Sequence, residues 1–175
     1  MAYFQFTLKF SLPGQDVVSE AFLERLAEGG CDDALIGFGQ AARLALNFDR
    51  EAESAFLAIS SAIEDVKRVI PEARLVEAAP DLVGLTDIAD IVACSRQYMR
   101  KLMLADGSEF PVAVHEGKTS LWRLTKVLTW LRNQRQYPID ERLIQISETT
   151  MHINIAKEVQ TLDRPAQKLL ASLSL

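Results

Sequence analysis

Residues 87–102 read DIADIVACSRQYMRKL and hold two short helical patterns on either side of a small-residue joint. Two apolar faces at helical spacing flank the joint, formed by Ile88, Ala89 and Val92 before it and by Met99, Leu102 and Met103 after it. Thr86 and Ser95 stand where each helix would begin, and both are good N-cap residues. The stretch therefore predicts two helices that meet at a sharp turn at residues 93–94.

The composition around this stretch is that of a globular protein. The chain has 175 residues, of which 49% are hydrophobic and 25% charged, which fits one or two small domains. No apolar run approaches the ~18 residues that a membrane span needs, and the first residues lack a secretion signal. The two cysteines, Cys31 and Cys94, lie in unrelated contexts, so we expect reduced structural thiols and a cytoplasmic location.

Charge is unevenly distributed along the chain. The formal net charge is −5, yet residues 81–135 hold 8 Lys/Arg against 6 Asp/Glu. Residues 1–80 hold 7 against 13, and residues 136–175 hold 4 against 5. An acidic chain argues weakly against a nucleic-acid partner, but the one net-basic segment contains the predicted helix pair.

The first 80 residues alternate between strand and helix patterns. The patterns predict strands at 3–10, 34–38, 43–48 and 74–77 and helices at 16–28 and 56–70. Phe56, Ile59, Ile63, Val66 and Ile70 mark the inner face of the second helix. The order β-α-β-β-α-β is the ferredoxin-like arrangement, with two helices on one face of a four-stranded antiparallel sheet. This fold names no function, so we expect a domain over residues 1–80 that assembles subunits or senses a partner.

Candidate sites in this segment have plain structural alternatives. Asp32 and Asp33 could bind a cation, but adjacent carboxylates after a glycine are typical of a turn with solvated charges. Phenylalanines of the first strand could stack bases in an RNA-binding domain, yet their alternation favours a core. With two histidines, His115 and His152, and no nucleophile, zinc or phosphate-loop motif, we expect no enzyme, no cofactor and no metal site.

The basic segment carries a family resemblance. Six residues are in register with the pattern L-T-x-x-[DE]-[IVA]-A-x-x-L-G-V-S-x-x-T-[VI]-x-x-[LWY]: Leu85, Thr86, Ala89, Ser95, Met99 and Leu102. This pattern belongs to the helix-turn-helix of bacterial transcription regulators, which the stretch resembles. Ala93 and Cys94 depart from it, since glycine and valine usually stand there. Alanine at a positive φ costs roughly 1 kcal/mol, which packing elsewhere can offset.

The residues that follow extend the resemblance. Residues 110–114, the turn 115–118 and residues 119–122 predict a β-hairpin, and Val127, Leu128 and Leu131 mark a third helix at 124–134. This succession is similar to the winged helix-turn-helix of the MerR and excisionase type. The resemblance covers residues 82–132, within an expected domain of residues 81–135. Trp122 and Trp130 are expected to pack in its core.

The resemblance implies a role for each exposed polar residue of the second helix and the wing. Base edges of double-stranded DNA would be read by Arg96, Gln97 and Arg100. Phosphates would be bound by Ser95, Tyr98, Lys101, Lys118 and Arg123, with His115 a weaker candidate on the wing. The resemblance thus implies a transcription regulator, most simply a repressor. The alternatives are an ordinary solvated helix face, a protein adaptor, or an antitoxin-like protein whose acidic N-terminal domain masks a basic partner.

The last 40 residues predict a long helix that is apolar on two sides. One stripe comprises Ile139, Leu143, Ile146 and Ile153, and the other comprises Ile144, Met151, Ile155, Val159 and Leu162. Such a helix either lies between the two domains or pairs with its copy in a homodimer, and we favour the dimer. A dimer would read an inverted-repeat operator. Asp163 and Pro165 predict a short final helix over the end of the chain.

Overall fold

The computed structural model describes residues 1–12, 19–39, 42–105, 107 and 109–173. Within these ranges the chain is an α+β protein, with an N-terminal four-stranded antiparallel sheet and helices followed by a mostly helical part with a small hairpin. Its strands are β1 Ala2–Ser11, β2 Ala34–Gly39, β3 Arg43–Ala52, β4 Arg74–Ala79, β5 Leu82–Val83 and β6 Trp122–Arg123. Its helices are α1 Glu20–Leu26, α2 Ala55–Val69, α3 Leu85–Ile91, α4 Arg96–Leu104, α5 Leu124–Arg135, α6 Glu141–Val159 and α7 Arg164–Ala171.

The large sheet has the strand order β2-β3-β1-β4. Strand β1 pairs along its whole length with β3, and its alternation is confirmed because Phe4, Phe6, Leu8 and Phe10 are all buried. The predicted strands at 34–38, 43–48 and 74–77 are confirmed as β2, β3 and β4. The antiparallel strands and the order β-α-β-β-α-β place one apolar face of the sheet against the helices.

The two helices of this part differ in how well the sequence predicts them. Helix α1 begins at the cap residue Ser19 and buries Phe22 and Leu26, while residues 16–18 of the predicted helix lie outside the described residues. A π-helical turn, Ala27–Cys31, follows it. The inner face of α2 is confirmed at Ile59, Val66 and Ile70, which are buried, but Phe56 is 62% exposed and does not belong to it. Small residues complete the buried face instead, namely Ala55, Ala58 and Ala62. Alanines let the helix approach the strands closely, which large-residue spacing does not reveal.

A buried ion network corrects the expectation for the acidic turn. Arg50, at an inward position of β3, donates to both oxygens of Asp33 at 2.7 and 2.9 Å and to Asp65 on α2 at 2.8 Å. Its other bonds reach the Gly30 carbonyl at 2.5 Å and the Ser61 hydroxyl at 3.0 Å. Asp33 is therefore a structural partner of a buried guanidinium and not a solvated turn charge. Burial and the nearby Asp65 raise the pKa of Cys31 to about 11, consistent with an unreactive thiol.

Helices α3, α4 and α5 enclose a second core. Ile88, Met99 and Leu128 lie at its centre, and the expected burial of Trp122 and Trp130 is confirmed. The third predicted helix is confirmed as α5. The cap of α3 was predicted wrongly: the N-cap is Gly84, whose N–H donates to the Asp87 carboxylate at 2.8 Å, and not Thr86.

Helix α6 lies between the two cores. Ile146 belongs to the sheet core and Ile144 to the second core, so each apolar side of the helix is covered in part within one chain. The structure thus realises the alternative that we did not favour for this helix. Its outer residues Ile155 and Val159 stay exposed, and α7 follows with Asp163 as its N-cap, as predicted. No helix of the described part is long and apolar enough to cross a bilayer.

A polar junction joins α6 to both parts of the chain. The Asn154 side chain accepts from the Ala78 N–H at 2.9 Å and donates to the Ala78 carbonyl at 2.8 Å. It also donates to Asp81 at 2.8 Å, and the Thr150 hydroxyl donates to the Pro80 carbonyl at 2.6 Å. The short connection from β4 to β5 is therefore held by side chains of α6, which fixes the placement of the basic segment beside the sheet.

Candidate nucleic-acid interface

The turn between α3 and α4 adopts a left-handed backbone conformation, which is costly for the alanine that stands there. Ala93 has φ +55°, within the left-handed region that favours glycine. Hydrogen bonds stabilise it: the Ala93 N–H donates to Asp90 at 3.2 Å and the Cys94 N–H to Ala89 at 2.9 Å. Burial raises the pKa of Cys94. The turn therefore forms despite the two departures from the helix-turn-helix pattern.

Helix α4 turns one side inward and presents the other to solvent. Its cap is Ser95, as predicted, and the Ser95 hydroxyl accepts from the Tyr98 N–H at 3.1 Å. Met99 is fully buried, with Leu102 and Met103 half-buried beside it. The exposed side chains are Arg96, Gln97, Tyr98, Arg100 and Lys101, which we call the α4 face. The sequence prediction of this face is confirmed.

The cations of the α4 face have no acidic partner among the described residues. Arg96, Arg100 and Lys101 form no ion pair with any residue that the structure describes, and neither does Lys118. Seven other Lys and Arg side chains do form ion pairs, including Arg50, Arg68 and Arg142. Isolated cations elsewhere, such as Arg74, also pair with no described acid, so the α4 face is set apart by the grouping of its cations.

A groove brings part of the α4 face together with the loop that follows it. The groove has a volume of about 420 Å³ and runs between α4, the start of α3 and residues 118–120. Arg96, Arg100 and Lys118 all line it. One acid, Asp87, also lies there, but its carboxylate accepts from the Gly84 N–H. Three cations from two elements, α4 and the loop at residues 118–120, therefore converge on one open cavity.

The wing is less regular than the sequence predicted. Residues 110–114 and 119–122 do not form paired strands; they meet at a single bridge between His115 and Leu121. The two-residue strand β6 pairs instead with β5. Phe110 packs edge-on against Trp122 and Trp130, and the Pro111 carbonyl accepts the Trp122 indole N–H at 3.1 Å. The first half of the predicted hairpin is therefore anchored to the core, and proline removes a donor that a strand would need.

Arg123 forms an ion pair within the protein. It pairs with Asp81, whose side chain is only 1% exposed and which also accepts from Asn154. The second carboxylate oxygen of Asp81 is buried without a hydrogen-bond partner among the described residues. The arginine therefore compensates a buried charge at the junction with α6, which makes it a weaker phosphate candidate than an unpaired cation. Lys118 and His115, by contrast, are exposed on the loop.

The sequence analysis did not predict the two buried ion clusters, at Arg50 and at Asp81. The sequence pattern does contain an indication of the first. Arg50 continues the series of alternate β3 residues that point inward, namely Leu44, Leu46 and Phe48. Its side chain therefore also points inward. An inward arginine requires acidic partners, and Asp33 and Asp65 were the available ones. The cluster at Asp81 left no such signal because its partners come from α6 and β6, which are distant in sequence.

The described residues offer no cluster of metal ligands. Groups of three or more His, Cys, Asp or Glu side chains that could hold a metal ion do not occur among them. Comparison of the chain with protein-family models, with curated proteins and with solved structures gave no match. Function is therefore inferred from the geometry of the α4 face and its groove.

Proposed function

We propose that this protein is a sequence-specific regulator that binds double-stranded DNA through the α4 face. The observation that carries the proposal is the convergence of Arg96, Arg100 and Lys118 on one groove, where none of the three pairs with a described acid. Uncompensated cations that share an exposed helix face are costly in self-repulsion and useful where a polyanion neutralises them. Helix α4 would then be the recognition helix in the major groove.

The side-chain types on α4 suit base reading. Arg96 and Arg100 stand one helical turn apart, and each guanidinium can donate twice to guanine O6 and N7. Gln97 lies beside them and can pair with adenine N6 and N7. Each such contact discriminates against a wrong base by about 1–3 kcal/mol. The N-terminal half of α4 therefore carries the proposed base contacts.

The remaining exposed groups suit phosphates, which fix position but carry no sequence information. We assign this role to Ser95, Tyr98, Lys101 and Lys118, and we leave Arg123 out because it pairs with Asp81. The α3–α4 pair, the loop 115–121 and α5 would form a winged helix-turn-helix, and the order β-α-β-β-α-β supports a ferredoxin-like domain before it. A repressor that binds an inverted repeat as a homodimer is the simplest form of this proposal.

Selection of bound fragments from sheared genomic DNA tests the proposal directly. We expect the protein to enrich a small set of fragments that share a motif, with an affinity that falls as salt rises. The double variant Arg96→Ala/Arg100→Ala should lose this enrichment, whereas Arg74→Ala, an exposed arginine at the start of β4, should keep it. Equal enrichment by both variants would show that α4 does not read bases, and no enrichment by the wild type would favour a protein adaptor.

A further inference from the structure

The two edge strands of the large sheet differ in whether their outward backbone groups are hydrogen-bonded. Strand β4 forms one edge, and α6 covers it: Asn154 bonds both the N–H and the carbonyl of Ala78, and Lys157 donates to the Val76 carbonyl at 2.7 Å. Strand β2 forms the other edge. Within the described residues no further strand or side chain bonds its outer side. One edge is therefore satisfied by side chains and the other is left open.

Strand β2 lacks the devices that usually protect an open edge. Its sequence, ALIGFG, contains no charge and no proline, both of which normally discourage pairing with another strand. Leu35 is 74% exposed on the face away from the helices, and the inner face carries Ile36 and Phe38. Phe38 contacts Phe22 of α1 edge-on at 6.0 Å, so the strand is held in place by the core. A fixed, uncharged and unpaired edge favours the addition of another strand.

The backbone groups that would accept this strand can be identified. The Asp49 N–H donates to the Asp33 carbonyl at 3.1 Å, so residues 33 and 49 form a hydrogen-bonded pair. Hydrogen-bonded pairs alternate along an antiparallel ladder, and the register continues as Leu35 with Asn47. The N–H and carbonyl groups of Ala34, Ile36 and Phe38 therefore point outward from the sheet.

We propose that two copies of this chain join through β2 in an antiparallel pair centred on Ile36, which makes one continuous sheet. In this register Ile36 faces its own copy and Ala34 faces Phe38, so every outward backbone group is used, roughly six hydrogen bonds in all. On the open face each exposed Leu35 lies over Gly37 of the other copy, which has no side chain. A large residue meets a small one at each unlike pair, and no like charges meet.

A second copy fits this edge better than a different partner would. The strand is its own complement in size and charge, and antiparallel pairing of identical strands is two-fold symmetric by construction. The two-fold axis would stand perpendicular to the sheet and keep the helices of both copies on one face. The inference concerns the protein alone and does not depend on DNA binding.

Sedimentation velocity of the full chain tests the pairing at concentrations from about 1 to about 100 µM. The wild type should dimerise, and Leu35→Lys should raise the dissociation constant at least about tenfold because a charge meets the edge of the other copy. Ala34→Pro should also weaken the dimer, since it removes an outward N–H at the first strand residue, where proline is tolerated. Phe56→Lys and Leu169→Lys change exposed apolar residues elsewhere and should leave the dimer intact. Circular dichroism should show each variant folded.

A disulfide trap tests the register. Leu35 and Gly37 would form a close, non-hydrogen-bonded pair across the interface, about 4.5 Å between Cα atoms, which a disulfide can span. A Cβ atom at Gly37 would meet only the Ala45 carbonyl oxygen, at 3.9 Å, so a side chain can begin there without a clash. A mixture of Leu35→Cys and Gly37→Cys chains should therefore cross-link on oxidation, whereas either variant alone should not. A monomeric wild type, or a dimer that survives Leu35→Lys and Ala34→Pro and forms no cross-link, would overturn the inference. Binding of DNA by a monomer would overturn the pairing and leave the proposed function standing.

Discussion

Arg50 and the arginines of α4 put the same chemical group to opposite uses. The Arg50 guanidinium is buried over the Phe48 ring at 4.9 Å and donates to Asp33, Asp65, a hydroxyl and a carbonyl. Arg96 and Arg100 are exposed on a groove and pair with no acid of the described chain. The first arginine has all its donors satisfied by the protein, whereas the other two form no hydrogen bond with a described side chain. Exposed, unpaired arginines such as Arg74 occur elsewhere too, so what distinguishes Arg96 and Arg100 is that they line one groove together with Lys118.

The largest expected effect is a loss of stability when Arg50, the buried arginine of this comparison, is replaced. Replacing Arg50 by methionine leaves Asp33 and Asp65 without their main partner in a half-buried setting. We expect a loss of about 3 kcal/mol in the free energy of unfolding, which urea denaturation measures. Arg74→Ala, at an exposed and unpaired arginine, should change it by less than about 0.5 kcal/mol. Equal losses in the two variants would mean that the network contributes nothing particular to stability.

A second, smaller effect separates Arg123 from Lys118 within the basic segment. Arg123→Met leaves the buried Asp81 carboxylate with Asn154 as its remaining side-chain partner, so the free energy of unfolding should fall by about 2 kcal/mol. Lys118→Ala should leave stability unchanged and weaken binding to all DNA sequences alike, with the salt dependence reduced by about one counterion. Thermal unfolding and fluorescence anisotropy measure the two quantities. A stability loss in the lysine variant but not in the arginine variant would reverse our assignment of these two residues.

The smallest effect concerns the turn that joins the two helices. Ala93→Gly removes the steric cost of φ +55° and should stabilise the protein by about 0.5–1 kcal/mol, less the greater entropy of glycine in the unfolded chain. DNA affinity should not fall, because residue 93 precedes the α4 face. Denaturation midpoints of the wild type and variant measure the change. Destabilisation by glycine would show that packing around the alanine methyl group outweighs the steric cost of the positive φ.

The success of sequence reasoning depended on how local each feature is. The alternation of β1, the cap at Ser95 and the face of α4 follow from neighbouring residues, and all three were predicted. The inner face of α2 was predicted at Ile59, Val66 and Ile70 but not at Phe56, because the alanines that complete the face carry no size signal. The wing was predicted only in part, since the packing of Phe110 against two tryptophans depends on tertiary contacts. The packing of helix α6 was open to two interpretations because its sequence shows two apolar sides but not the surfaces that contact them.

Substitution of lysine for both groove arginines tests the central claim most directly. Arg96→Lys/Arg100→Lys keeps every positive charge on α4 but removes the paired donors that can read guanine. Anisotropy titrations with a selected fragment and with a scrambled fragment of equal length separate specific from non-specific affinity at one salt concentration. We predict that specific affinity falls by at least about tenfold while non-specific affinity stays within about twofold. An unchanged ratio of the two affinities would contradict base reading by α4 and leave only an electrostatic surface.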